Sequence, residues 1–204
     1  MEPRKFPRKN QERAESTQVA LISAARRLFI ERGYAATGTP DIVTAAAVTR
    51  GALYHHYKDK AALFLAVAQQ MAQEVAVAVE DGSHPSATAT DALLAGSMAY
   101  FQAMAQDGRA KLLLIEAPAV LSAKDLQELS DMAGADALKQ GLEALLSTES
   151  KSAIISNDEL DALTQLISAT FDRIAKALAH GEDIAPYEAA LRNILSGIRS
   201  AYVT

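Results

Sequence analysis

Two helix-start signals lie ten residues apart in the stretch "GTPDIVTAAAVTRGALYHHYKDK", and they fix what this part of the chain can become. Thr39 before Pro40 predicts an N-cap followed by a first-turn proline, because a threonine hydroxyl accepts from an orphan amide and proline has no amide to orphan. Thr49 repeats the N-cap signal. Between the two, the sequence predicts a short helix ending near Ala46 and a tight break at Ala47-Val48. A short helix, a turn and a second capped helix form the outline of a helix-turn-helix.

The rest of the chain favours helices as well. Alanine and leucine dominate, aromatics are few, and no long run alternates apolar with polar residues, so the expected fold class is all-α. Half of the 204 residues are apolar, enough for one sizeable core or a small unit beside a larger one. Cysteine is absent, which removes disulfides and thiolate metal sites. No uninterrupted apolar run reaches the roughly eighteen residues of a membrane span. The start, "MEPRKFPRKNQER", is basic with no apolar stretch behind it, so a cytoplasmic protein with no membrane partner is expected.

The formal net charge of -5 hides an asymmetry. Residues 1–60 hold 11 Lys+Arg against 6 Asp+Glu, net +5, whereas residues 61–204 hold 9 against 19, net -10. A basic head on an acidic body presents one end to a polyanion and keeps the other away from it.

The first helix is expected from about Glu12 to Arg32, with Leu21, Ile22, Ala25, Leu28 and Phe29 on one face and Gly33 as its stop. In the helix that Thr49 opens, Leu53 and Tyr57 are four residues apart and point inward, leaving Arg50, Gly51, Tyr54 and His55 outward. Arg50 in the first turn has the reach for base edges or phosphates. Gly51 lets a backbone approach closely, and Tyr54, His55 and His56 bring donors on short side chains. Lys58 and Lys60 add charge before the next helix. The histidines do not make a metal pair, because adjacent helical residues diverge by about 100°, and no metal or cofactor is expected. Nor is an enzyme: the four histidines stand at 55, 56, 84 and 180, and no nucleophile, base or ligand set converges on them.

The stretches "ALISAARRLFIERGYAATGTPDIV" and "VTRGALYHHYKDKAALFLAV" resemble the DNA-binding domain of the TetR family of bacterial transcriptional regulators (TetR/AcrR type) over residues 15–70 or so. The chain departs from the family pattern at Ala47, where glycine is usual in the turn, at the bulkier Val43 and Thr44, and at Gly38, where serine or threonine is common. That leaves Thr37 and Thr39 as the expected phosphate hydroxyls, joined by Thr49. The resemblance implies a basic flexible arm over 1–14, a helix-turn-helix domain over 15–60, and an effector-binding and dimerisation domain over 61–204. It also implies double-stranded DNA with a palindromic operator, a small-molecule effector and a second copy of the chain as partners, and repression relieved by the effector.

The body's own pattern agrees with that division. "KAALFLAVAQQMAQEVAVAVED" continues as a long helix with Phe64, Ala68, Met71 and Val75 on one stripe, "DGSHPS" is a loop, and "SATATDALLAGSMAYFQAMAQDG" is the next helix. In "RAKLLLIEAPAVLSAKDLQEL" a short helix runs into Pro118, and Ser122 with Asp125 predicts a capping box opening a helix to about Ser147. This segment also resembles the "LLIDAPAVL" pattern of one branch of these regulators. Ser156 with Glu159 is a second capping box. It starts a helix through Leu160, Leu163, Leu166, Ile167, Phe171, Ile174 and Leu178, and Pro186 begins the last helix with Tyr187, Leu191, Ile194, Leu195 and Ile198.

Candidate ligand contacts are Tyr100, Phe101, Met104, Glu116, Met132, Asp136 and Phe171. Glu116 stands out as a carboxylate between "LLLI" and "APAVL" that needs a partner such as a cation, a hydroxyl or Arg109. The family pattern pairs the last two helices with their symmetry mates, which makes Leu163, Ile167, Phe171, Ile174, Leu191, Ile194 and Ile198 the expected dimer interface, with Ser196-Gly197 allowing close approach.

Overall fold

A computed structural model of the chain describes residues 7–82, 88–106, 108–147 and 155–202. The first six residues of the expected arm and most of the "DGSHPS" loop lie outside that set. The described residues are helical, with no strand among them. α1 (Pro7–Arg32), α2 (Thr39–Ala45) and α3 (Arg50–His56) form the head. α4 (Lys60–Gly82) runs from the head into the body, which continues with α5 (Ala89–Ala105), α6 (Arg109–Lys111), a π turn (Leu112–Glu116) and α7 (Ala117–Val120). Then come α8 (Ala123–Ser130), the turn Asp131–Ala135, α9 (Asp136–Leu146), α10 (Asn157–Ala179) and α11 (Ala185–Tyr202).

α1 begins earlier than the sequence pattern predicts, at Pro7 rather than near Glu12. Proline at the opening position costs a helix no amide bond, and nothing between it and Glu12 interrupts the turn. Gln11 donates to Glu15 (3.1 Å) on this exposed segment. The first helix ends where expected, with Gly33 at φ +82°.

The caps explain the boundaries. Thr49 Oγ1 accepts from Ala52 N (3.1 Å), Thr88 Oγ1 from Asp91 N (3.1 Å), and Ser156 Oγ from Glu159 N (3.2 Å). Ser122 and Asp125 make both halves of a capping box. At Ser156 only the serine half forms, because the Glu159 carboxylate instead accepts from the Tyr202 hydroxyl (2.5 Å), tying the end of α11 to the start of α10. α2 differs from expectation: its N-cap is Gly38, whose N–H donates to Asp41 (3.2 Å), and Thr39 is the first helical residue. The helix expected from Ser122 to about Ser147 is broken at Gly134, whose φ of 120° is outside any helix.

Two apolar clusters result. The first joins head to body: Leu21, Leu28, Phe29, Ile42 and Leu53 pack with Leu63, Phe64, Val67 and Met71 of α4 and with Leu112. The second closes the far end of the body with Leu93, Phe101, Leu142, Ile167, Phe171, Leu191 and Leu195. α4 is long and apolar enough to cross a membrane by length and composition alone, but its Leu63, Phe64, Val67, Met71 and Val75 are buried in the protein's own core.

Candidate functional site

The head's outer surface is built by α3 and the turn before it. Leu53 and Tyr57 anchor the inner face of α3, which fixes the opposite face outward. Thr49, Arg50, Gly51, Tyr54, His55 and Lys58 are exposed there, and His56 is half-buried. The Arg50 guanidinium lies 5.5 Å from the Tyr54 ring centroid. The Thr39 hydroxyl and then Arg50 hold the Tyr54 phenol below its ordinary value. Thr39, Arg50 and Tyr54 thus form one connected polar group across α2 and α3. A side chain added at Gly51 would meet only Thr49 Oγ1 at 3.9 Å, so this glycine leaves open space on the outer face.

The turn between α2 and α3 holds Ala47 at φ 52°, the left-handed region where an alanine Cβ is strained by about 1–2 kcal/mol. Its neighbours compensate, with Ala47 N donating to Thr44 O (3.2 Å) and Val48 N to Val43 O (3.0 Å). The turn therefore keeps the geometry for which glycine is the usual residue.

Two residues expected on this surface are occupied elsewhere. Thr37 is buried, its hydroxyl 2.7 Å from Gly33 O and 3.2 Å from Leu28 O, so it satisfies the end of α1 and offers nothing outward. Lys60 is half-buried. Its ammonium donates to Tyr34 O (2.8 Å) and Thr37 O (3.0 Å) and lies 4.0 Å from the Tyr34 ring, so its charge serves the same turn.

The body contains a cavity of about 580 Å³. Leu93, Met104, Leu113, Leu129 and Leu138 supply apolar walls, while α10 contributes a polar edge of Ser168, Asp172 and Lys176. Of the residues expected to contact a ligand, Tyr100, Met104 and Phe171 line this space. Phe101 is fully buried behind it, edge-on to Phe171 with ring centroids 5.0 Å apart. Met132 packs against the first core cluster, and Asp136 is exposed. The polar edge went unforeseen. Asp172, whose Oδ1 accepts from the Tyr100 hydroxyl (3.2 Å), is held above the ordinary carboxylate range by burial, against the pull of Tyr100 and Lys176. Burial and the adjacent carboxylate raise the Tyr100 phenol in turn.

Glu116 is not a wall of the cavity. Its Oε2 accepts from the backbone N–H of Tyr34 (2.6 Å), and Lys111 lies 3.6 Å from its Oε1. The partner it needs is the end of α1 in the head. Gly33 makes room for this approach, since a Cβ there would sit 3.0 Å from Glu116 Oε1. Arg109 is not its partner either. That guanidinium is buried, donates to Ala103 O (2.9 Å) and pairs with Glu74 Oε2 (2.6 Å), while Arg26 of α1 takes Glu74 Oε1 (2.5 Å). α1, α4 and α6 therefore meet at a three-charge junction. Burial pushes the Glu74 carboxyl up, but the two guanidiniums outweigh it and hold the group below its ordinary value.

The expected dimer residues divide sharply. Ile167, Phe171, Ile174 and Leu191 are buried in the second core within the single chain. Leu163 and Ile198 are partly buried against the same core, and Ile194 alone among the seven is exposed, at 43%. Leu166, 68% exposed, is the large apolar residue on the outer face of α10. Apolar periodicity marks the buried face of a helix without saying which neighbour buries it.

The outer face of the helix-turn-helix thus stands on a helical body with an internal cavity, the architecture of a class of bacterial regulatory proteins. Residues 21–67 match the family described as bacterial regulatory proteins, tetR family, and residues 90–200 match the tetracyclin repressor-like C-terminal domain. The chain belongs to the tetR family. It is 45% identical over 60 residues to the transposon Tn10 TetC protein of Escherichia coli, covering 29% of this chain and 30% of that one. It is 44% identical over 57 residues to the regulator AcrR of Shigella flexneri, covering 28% and 26%. The chain thus spans less than a third of the length of these relatives. The fold is similar to that of the regulator FadR from Bacillus subtilis in complex with stearoyl-CoA, with a TM-score of 0.71, 18% identity, and 87% and 96% of the two chains covered. A tetR-family regulator from Pectobacterium atrosepticum is similar over 95% and 97% of the chains, with a TM-score of 0.65 and 25% identity.

Proposed function

We propose that the chain is a homodimeric, sequence-specific DNA-binding repressor that acts in the cytoplasm and leaves a palindromic operator when a small molecule enters the cavity. The bond from Tyr34 N to Glu116 carries the reading. Leu113, Leu114 and Pro118 touch the cavity, and Glu116, in the same segment, holds the end of α1. An occupant that moves this segment moves the head with it. A coupling of about 1–3 kcal/mol between the two sites changes operator affinity 5- to 150-fold. The stearoyl-CoA bound by FadR supports reading the cavity as a ligand site.

Arg50 and Tyr54 are the base and phosphate contacts in this reading, with Thr39, Thr49, His55, His56 and Lys58 around them and Gly51 admitting the duplex backbone. The dimer surface is the exposed face of α10 and α11, where Ala162, Leu166 and Ala169 and then Ala190, Ile194 and Gly197 recur at helical spacing. Two heads so joined would address half-sites about one helical turn of DNA, or a multiple of it, apart.

The test is fluorescence anisotropy of the full chain on DNA from its own upstream region, titrated across salt beside a scrambled duplex. Steep, sequence-dependent binding that Arg50→Ala or Tyr54→Ala weakens at least about tenfold is expected, since a bidentate arginine contact to guanine is worth about 1–3 kcal/mol. Variants that bind like the parent protein would remove α3 from the interface. Leu166→Glu combined with Ile194→Glu should yield monomers in sedimentation, and an unchanged mass would move the dimer surface elsewhere.

A further inference from the structure

We infer that the molecule this cavity accepts is a neutral amphiphile, an apolar body ending in a headgroup that both donates and accepts hydrogen bonds, of which a primary amide is the simplest case. The inference rests on the cavity being the effector site of the regulator proposed above.

The cavity's volume of about 580 Å³ is in the range of drug-sized ligands. Its charge is one-sided: Asp172 and Lys176, the charged lining residues among the described ones, both stand on α10, while Ser97, Ser130 and Gln140 add neutral polar groups on other elements. Ser168, Asp172 and Lys176 follow each other at four-residue spacing, so they form one stripe along α10 facing leucine and alanine walls. Tyr100 occupies Oδ1 of Asp172, and no donor among the described residues reaches Oδ2. The Lys176 ammonium has no hydrogen bond or ion pair among the described residues, although Asp172 feels its charge. The stripe therefore presents an acceptor and a donor about one helical turn apart, with a net charge of zero.

That combination selects against charged ligands. A cationic head that satisfies Asp172 stands beside Lys176, and an anionic head that satisfies Lys176 stands beside Asp172. Either one carries an uncompensated charge out of water into an apolar enclosure, which is the costly case. An amide donates N–H to the free carboxylate oxygen and accepts at C=O from the ammonium. It satisfies both groups and moves no net charge. The apolar tail then replaces water along the leucine walls.

The experiment is isothermal titration calorimetry of the full chain with three probes of equal tail length: decanamide, decanoate and decylamine. The parent protein should bind decanamide at least tenfold more tightly than either charged probe. Asp172→Asn leaves the stripe positive and should move the preference to decanoate, whereas Lys176→Met leaves it negative and should move it to decylamine. The parent series needs no variant, so it decides the matter even if one of them fails to fold. A parent that prefers a charged probe, or a ranking that both folded variants leave unchanged, overturns the inference. So does a protein that binds its operator tightly but none of the probes, and that outcome leaves the regulator reading intact. Decanamide binding in a protein that selects no DNA from a genomic library would sink the regulator reading and keep the ligand class.

Discussion

Two regions of this molecule hold buried charge in opposite ways. At the junction of α1, α4 and α6, Glu74 lies between Arg26 and Arg109, and both of its oxygens are taken. In the cavity, Asp172 keeps one oxygen free and Lys176 has no partner among the described residues. At the junction both Glu74 oxygens are taken, although the buried Arg109 Nε has no hydrogen-bond partner among the described residues, and the paired charges hold one arrangement because a buried charge that loses its partner is strongly destabilising. The cavity tolerates incomplete pairing, which costs stability in the empty protein and gives a ligand something to complete.

The largest test of that contrast is Glu74→Gln. It leaves the buried Arg109 and the half-buried Arg26 facing each other uncompensated and should destabilise the fold by about 3 kcal/mol. That is a fall in Tm of roughly 6–12 °C for a chain of this size. A melt within about 2 °C of the parent would mean that solvent already screens the junction.

Glu116→Ala comes next. Loss of a hydrogen bond to a charged acceptor costs about 1.5–3 kcal/mol, and the operator affinity of this variant should no longer respond to a cavity ligand in anisotropy titrations. A full ligand response would show that the signal travels by another route.

The two carboxylates should also respond oppositely to acid. The Glu74 carboxyl is below its ordinary 4.5, so its stabilisation is present above that pH and is lost as the pH falls through the folded value. Asp172 is above its ordinary 3.8, so its ionisation costs stability at neutral pH, and the cost fades as the pH falls toward 3.8. Asp172→Asn should therefore raise Tm by a few degrees near neutrality, with the gain shrinking in acid. A variant that melts lower than the parent at pH 7 would contradict an unsatisfied cavity wall.

The smallest effect belongs to a site outside both regions and serves as a control. Ala47→Gly relieves a left-handed alanine worth about 1–2 kcal/mol and adds chain entropy worth about 0.5–1. A net gain of about 0.5–1 kcal/mol in chemical denaturation is expected, with no change in the pH response. A loss of stability would mean that the turn carries no strain.

What the sequence made legible follows the range of the interactions. The caps at Thr49, Ser122 and Ser156 join residues three apart, so local order announces them. The buried stripes of α1 and α4 are equally local. Thr37, Lys60, Arg109 and Glu116 each have chemistry that invites a partner, but those partners are 4 to 82 residues away, and only the folded chain selects among them. Asp172 and Lys176 look like the solvated side of an amphipathic helix until α5 and α9 close over them. The residues expected at a dimer surface meet the same limit: apolar spacing on α10 and α11 marks a face that is covered, here by the single chain's own core for most of them, without naming the neighbour that covers it.

Glu116 grips a peptide N–H, a group that every residue but proline presents at position 34. This one bond between head and body is therefore blind to which side chain stands there. A lineage could rewrite the outer surface of α3 and inherit this bond intact. Its vulnerable positions are Gly33, where a Cβ would crowd the carboxylate, and any exchange that brings proline to residue 34.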